Sequence, residues 1–242
     1  MATSETAAQA ADRRRPHGPA SLIVVGGGEH ARVVIEAART RPDEWTISGF
    51  VDPVAVETTM RLTAAPYLGD DSAIETALAD AAVGDRPWVV LGLGGAGGPG
   101  LRRRLVERLE AGAATSLRWA TIVHSGAWVS PTARLGPGTV VLAGAIVNSG
   151  ATLGAHAIVN SAAVVEHDVV IGDFTHLGPA AVIGGGATLG NDGFVGLGAR
   201  IRDHVTIGDS ATVGMGAAVV DDVAAGVTVI GAPARPAGHD GA

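Results

Sequence analysis

The chain has 242 residues, enough for one large or two modest domains with a sizeable core. Its formal net charge of -7 argues against nucleic acid or an anionic membrane surface as partner, and 36 glycines beside 3% aromatics suit tightly turning backbone better than a core of packed rings. There is no cysteine, which removes disulfides, thiolate metal sites and a cysteine nucleophile, and fits a cytoplasmic protein.

Residues 1–20, MATSETAAQAADRRRPHGPA, are polar and alanine-rich with a basic triplet, Arg13 to Arg15. They lack the apolar run of a secretory signal, and the expectation is a disordered leader. No stretch of the sequence is long and apolar enough to span a bilayer.

Residues 21–118 carry an α/β pattern. In SLIVVGGGEHARVVIEAART, Leu22 to Val25 form a short apolar run, Gly26 to Gly28 a turn, and His30 to Thr40 a helical spacing. Strand, glycine turn and helix open a nucleotide-binding unit of the Rossmann type, in which N–H groups at the helix start hold a phosphate. WTISGFVD gives a second strand ending in Asp52, placed to accept from a ribose hydroxyl. PWVVLGLGG gives a third, with Gly94 in the turn after it, and GLRRRLVERLEAG a helix closed by Gly112. The glycines do not complete a GxGxxG pattern, so a small α/β domain whose glycines only make turns is the competing reading. The phosphate-gripping GxxxxGK[ST] is absent, which argues against ATP-driven chemistry.

From residue 119 the composition changes. Val123 and every sixth residue after it up to Val219 is Val, Leu or Ile, without exception. Two places earlier stands a small or β-branched residue, as at Ala127, Ala133, Thr139, Ala145 and Ala151, and glycine often follows the aliphatic, as at Gly136, Gly154 and Gly172. An unbroken six-residue period specifies a parallel β-helix, here over residues 119–236 with a tail at 237–242. The aliphatic points inward, the small residue fits the crowded corner, and glycine and asparagine are expected to permit the turn.

The repeat resembles the left-handed β-helix of the hexapeptide acyltransferases. The segments VVGGGEHARVV, GFVD, VVLGLGG, VEHDVVIGDFTH and VIGAPAR are similar to those of the sialic-acid O-acetyltransferase and nucleotide-amino-sugar N-acetyltransferase family, in which a Rossmann-like domain precedes the β-helix. The resemblance covers roughly residues 21–236. It implies acetyl-CoA as acyl donor, a sugar or nucleotide sugar as acceptor, no metal, and a homotrimer with active sites between subunits. It makes His167 the general base and Asp168 its partner carboxylate, with Glu166 the alternative. It matches His176 to an acetyl-CoA contact and Leu197 and Met215 to the pantetheine slot. It matches Gly28, Glu29 and His30 to the phosphate-side loop, Asp52 to the second-strand acid and Gly94 to the third-strand turn. Glu29 stands where glycine is usual, and Pro53 replaces a second acid; both weaken a claim on a UDP-sugar.

A base near neutrality suits acyl transfer from a thioester, and histidine supplies it. His167 and His176 are nine residues apart, half of an 18-residue coil, so they should emerge on different sides of the prism. His124, His156 and His204 read as ordinary residues of exposed turns. Two other functions compete. A β-helical zinc hydratase needs three converging ligands, and the spacings of eleven (His156 to His167) and nine do not resemble a close ligand pair. A non-catalytic binding scaffold would bind neither CoA nor a nucleotide sugar.

Overall fold

The computed structural model describes residues 18–82, 84–95, 100–113 and 117–237. The expected leader up to residue 17 and the tail beyond 237 lie outside the described residues. The chain divides into two units between Ser125 and Gly126.

In the first unit, β1 (Ala20–Val25), β2 (Trp45–Val51), β3 (Tyr67–Gly69) and β4 (Trp88–Leu91) form a parallel sheet in the order β3-β2-β1-β4. The central strand β1 is apolar because both its faces are covered: Leu22, Ile23, Val24 and Val25 are all buried. Helix α1 (Glu29–Arg39) packs through Ala31, Val34, Ile35, Ala37 and Ala38. The sequence reading passes over three elements: α2 (Glu57–Thr63), β3 and α3 (Ser72–Asp80). Helix α2 is only seven residues long, and β3 is a three-residue edge strand, too short for a periodicity to register. The last helix, α4 (Leu101–Gly112), runs where the sequence places it.

The unit extends beyond the expected limit at 118. Trp119 bridges to Val89, Arg41 Nε donates to the Val123 carbonyl (2.7 Å), and Ser125 N–H donates to Thr40 Oγ1 (2.9 Å). These bonds tie residues 119–125 to the α/β sheet and to the end of α1.

The second unit is a parallel β-helix with three walls. The first wall stacks Arg134–Leu135, Thr152–Leu153, Val170–Ile171, Thr188–Leu189 and Thr206–Ile207. The second stacks Val140–Val141, Ile158–Val159, His176–Leu177, Phe194–Val195, Thr212–Val213 and Thr228–Ile230. The third stacks Trp128–Val129, Ile146–Val147, Val164–Val165, Val182–Ile183, Arg200–Ile201 and Ala218–Val219. Partners such as Thr152, Val170 and Thr188 are 18 residues apart, so three hexapeptides make one coil. The coil shortens at the end, where Thr212 pairs with Thr228, and Arg235–Pro236 runs antiparallel to the last strand.

The period-six aliphatics fill the interior: Val141, Val147, Val159, Val165, Leu177, Ile183 and Val213 have no exposed surface. Each coil borders only its neighbours, so a cavity in one layer cannot be closed by distant parts of the chain. Leu153→Ala is expected to cost about 2–5 kcal/mol, read as a lowered urea midpoint; a loss under about 0.5 kcal/mol would contradict the assigned interior.

The turn chemistry differs from the expectation. From Leu135 to Val213 the left-handed residue is the third after the aliphatic, not the glycine directly after it: Gly138, Gly144, Gly150, His156, Ala162, Asp168, Phe174 and Ala180 all have φ between 55° and 73°. The glycine directly after the aliphatic answers a different need, close approach of the next coil. A Cβ on Gly172 would lie 2.6 Å from the Gly190 carbonyl carbon. His156 also departs from the exposed turn residue expected. It is buried and stacked on Phe174, with centroids 4.8 Å apart.

Candidate active site

The corner between the third and first walls carries Glu166, His167 and Asp168. Val165 points inward and fixes the start of the turn, and the left-handed backbone at Asp168 (φ 58°) swings its carboxylate back towards the preceding residue. His167 Nδ1 lies 3.0 Å from Asp168 Oδ2. Glu166 is engaged elsewhere: its Oε2 accepts from Asn148 Nδ2, one coil below, at 2.9 Å. Of the two flanking carboxylates, the one in contact with the imidazole is therefore that of Asp168. With Nδ1 donating to a carboxylate, the lone pair of a neutral ring is on Nε2. Both side chains are open to solvent, His167 at 58% and Asp168 at 73%, so a ligand can reach them.

His176 sits on the second wall, separated from His167 along the chain by the first-wall strand Val170–Ile171. The two histidines thus occupy different faces. His176 is buried, edge-on to Phe194 with centroids 5.4 Å apart. Its Nε2 lies 3.2 Å from Asn160 Nδ2. Asn160 Oδ1 accepts from the Ser161 N–H (2.8 Å), which fixes the amide so that its NH₂ faces the ring. His176 Nε2 is then the acceptor, and a neutral His176 carries its proton on Nδ1. Sequence reasoning missed Asn160. The available signal was asparagine after the aliphatic Val159, a place often held by glycine.

Leu197 and Met215 occupy successive coils at the corner between the second and third walls. Gly216 N–H donates to the Leu197 carbonyl (2.8 Å), and the two side chains are 54% and 80% exposed. Two large apolar side chains stacked outward at a solvent-facing corner make a narrow apolar strip along the prism.

In the first unit, the residues singled out gather at the carboxyl ends of β1, β2 and β4. The strand order reverses between β1 and β4, the position at which parallel sheets open a ligand crevice. Gly28 caps α1 with extended backbone and no side-chain bond, and a Cβ there would meet nothing within 4 Å. Glu29 is fully outside, paired loosely with Arg32 at 3.6 Å. Asp52 closes the loops: Oδ2 accepts from the Gly27 N–H (2.8 Å) and Oδ1 from the Val54 N–H (3.1 Å). Gly94 lies against the imidazole of His30, where a Cβ would be 3.5 Å from Cγ.

Burial, and secondarily the Arg102 charge, lowers the pKa of His30 from 6.5 to about 4. The neutral ring is the form the fold accepts. Above pH 6.5 His30 is neutral folded or unfolded and contributes nothing to the pH dependence. Between pH 6.5 and 4 only the unfolded chain takes up the proton, so stability falls, by roughly 2–4 kcal/mol in all. Unfolding measured across that range should show this slope in the parent and a shallower one in His30→Gln; equal slopes would contradict it.

Among the described residues, no group of three or more His, Cys, Asp or Glu is placed to hold a metal ion. Nor is any helix among them long and apolar enough to cross a membrane.

Residues 21–109 match the family model described as the PglD N-terminal domain. Sequence comparison with curated proteins gives no match. Solved structures resemble nearly the whole chain. PerB from Caulobacter crescentus, a perosamine N-acetyltransferase crystallised with CoA and GDP-perosamine, is 34% identical with a TM-score of 0.78, over 90% of this chain and 97% of its own. The acetyltransferase domain of PglB from Neisseria gonorrhoeae, crystallised with acetyl coenzyme A, is 31% identical with a TM-score of 0.78, over 91% and 100%. WeeI from Acinetobacter baumannii is 26% identical with a TM-score of 0.74, over 89% and 99%. With both units, the hexapeptide coils and the EHD corner in place, the chain belongs to the hexapeptide-repeat nucleotide-amino-sugar acetyltransferase family.

Proposed function

We propose that the protein transfers the acetyl group of acetyl-CoA to the amino group of a nucleotide-linked amino sugar, with His167 as general base. The observation that carries this is the His167–Asp168 pair, 3.0 Å apart on an open corner of the β-helix, which leaves the lone pair of a neutral ring on Nε2. The ligands of the relatives support it: CoA with GDP-perosamine in the Caulobacter enzyme and acetyl-CoA in the Neisseria domain.

The chemistry asks little of the protein. The neutral amine attacks the thioester carbonyl carbon while Nε2 takes the proton leaving the nitrogen. Asp168 holds the ring in the tautomer with Nδ1 protonated and stabilises the imidazolium as it forms. The carbon–sulfur bond then breaks, the imidazolium proton goes to the departing sulfur, and the products are the acetamido sugar and CoA with a free thiol. Leu197 and Met215 form the strip against which the pantetheine arm lies. His176, its ring fixed by Asn160 and Phe194, is the polar contact for the donor.

Gly28, Glu29, His30, Asp52 and Gly94 of the first unit bind the nucleotide. The first N–H groups of α1 receive the phosphates, and each Asp52 oxygen keeps a lone pair for a ribose hydroxyl. The exposed carboxylate of Glu29, beside Arg32, leaves that phosphate position accessible.

The site is completed by a second copy in a homotrimer. The outer residues of the first wall are Arg134, Thr152, Val170, Thr188 and Thr206, all exposed, and all polar except Val170, as suits a mostly solvated face. The third wall instead turns Trp128, Ile146, Val164, Val182 and Ala218 outward, interrupted only by Arg200. That apolar strip is the natural contact between copies. His167 lies at one edge of the third wall and Leu197 and Met215 at the other, so wall-to-wall packing about a threefold axis brings one subunit's base to the next one's donor strip. A donor made by central metabolism and a chain without cysteines suit work in the cytoplasm.

Turnover tests the proposal. Thiol release from acetyl-CoA should depend on a nucleotide amino sugar and match the loss of its amine. Release with no amino-sugar acceptor in a broad panel would count against it.

A further inference from the structure

Directly above Glu166, His167 and Asp168, one coil on, stand three glycines, Gly184 to Gly186. Val164 pairs with Val182 and Val165 with Ile183, and Gly186 N–H donates to the His167 carbonyl at 2.9 Å. The three glycines answer different demands. Gly184 lies against backbone: a Cβ there would be 2.4 Å from the nitrogen of Asp203. Gly186 is in the left-handed region at φ 66°, which favours glycine for conformational reasons. Gly185 has neither excuse. Its φ lies outside the positive region, and the three atoms nearest a Cβ built on it all belong to the His167 ring: Nε2 at 2.6 Å, Cε1 at 2.7 Å and Cδ2 at 3.2 Å. Gly185 is itself buried, although it lies at an outward corner. What requires glycine at this position is the imidazole.

We propose that Gly185 is the positioning residue for His167, leaving open the space in which the imidazole lies across the coil above. This rests on His167 being the base. Two contacts then define the ring: Asp168 holds Nδ1 from its own turn, and the bare Cα of Gly185 receives the Nε2 edge. A methyl group at 185 would displace that edge and pull Nδ1 away from Asp168, which lengthens the path of the transferred proton.

The test is Gly185→Ala, alone and combined with His167→Ala. The backbone at 185 accepts alanine, so the thermal midpoint should stay near the parent's. kcat should fall about 10- to 100-fold, as expected for a base displaced by the order of 1 Å, while KM for the nucleotide sugar changes less than about twofold. In the His167→Ala background Gly185→Ala should cause no further loss, because it acts only through the ring. Nitrogen-15 spectra of the imidazole, recorded without substrates, should show Nδ1 protonated in the parent and a tautomer mixture in Gly185→Ala.

Parental kcat in Gly185→Ala, equal losses in both backgrounds, or an unchanged imidazole spectrum would each overturn the proposal. A lowered midpoint with unchanged kcat would also do so, since the crowding would then involve backbone. The spectra separate the two readings: a parent that transfers no acetyl group tells against the proposed function, and an unchanged imidazole tells against Gly185.

Discussion

Replacing His167 with alanine is expected to lower kcat/KM about 100- to 10,000-fold, the usual contribution of a well-placed general base. The loss should fall on kcat, because the proposed contacts to the nucleotide and to the donor do not include His167. The side chain is 58% exposed, so the thermal midpoint should hold. Asp168→Asn should give a smaller loss in the same parameter, since the amide can still touch Nδ1 but no longer stabilises the imidazolium. Glu166→Gln should leave activity near parental, because that carboxylate is bound to Asn148 and not to the ring. Parental turnover in His167→Ala would remove the assigned mechanism.

The second large effect concerns assembly. Ile146 lies on the outer face of the third wall, stacked between Trp128 and Val164, one coil below the EHD corner. Ile146→Glu places a charge in the strip proposed to join the copies. A single chain tolerates it, because Ile146 is only half-buried there, but an apolar interface does not. The variant should sediment as a monomer, keep its β-sheet circular dichroism, and lose at least about 100-fold in activity because His167 no longer meets a donor strip. Thr188→Glu, on the solvated first wall, should leave assembly and activity unchanged. A fully active monomer would show that one chain holds a whole site.

The β-helix was legible because its rule is strict. A residue every sixth place either fits a narrow interior or does not, and Val123 to Val219 never break the rule. The α/β unit was legible only at β1, α1, β2, β4 and α4. Helix α2 and strand β3 are held by tertiary contacts, such as Thr59 Oγ1 donating to the Gly27 carbonyl, and those have no periodic signature. The resemblance paired Asp168 with His167, but the choice against Glu166 needed the coil below, where Asn148 waits 18 residues back. Asn160 was missed for the same reason. Its bond to His176 spans 16 residues, close to one turn of the prism, and appears only once the coils are stacked. The glycines directly after the aliphatics were seen, but their purpose was not. They admit the next coil's backbone, while from Leu135 to Val213 the third residue after the aliphatic makes the turn.

The proposed sharing of the site between subunits is tested most directly by mixing two inactive subunits. His167→Ala lacks the base but keeps the donor strip, and Met215→Glu keeps the base but lacks the strip. Co-expressed in equal amounts with different tags and purified through both, they should regain activity, because some sites combine an intact His167 from one subunit with an intact Met215 from its neighbour. Each mixed trimer has one of its three sites in that combination, so the mixture should approach about one third of parental turnover. Mixed assemblies as inactive as either variant alone would contradict the account.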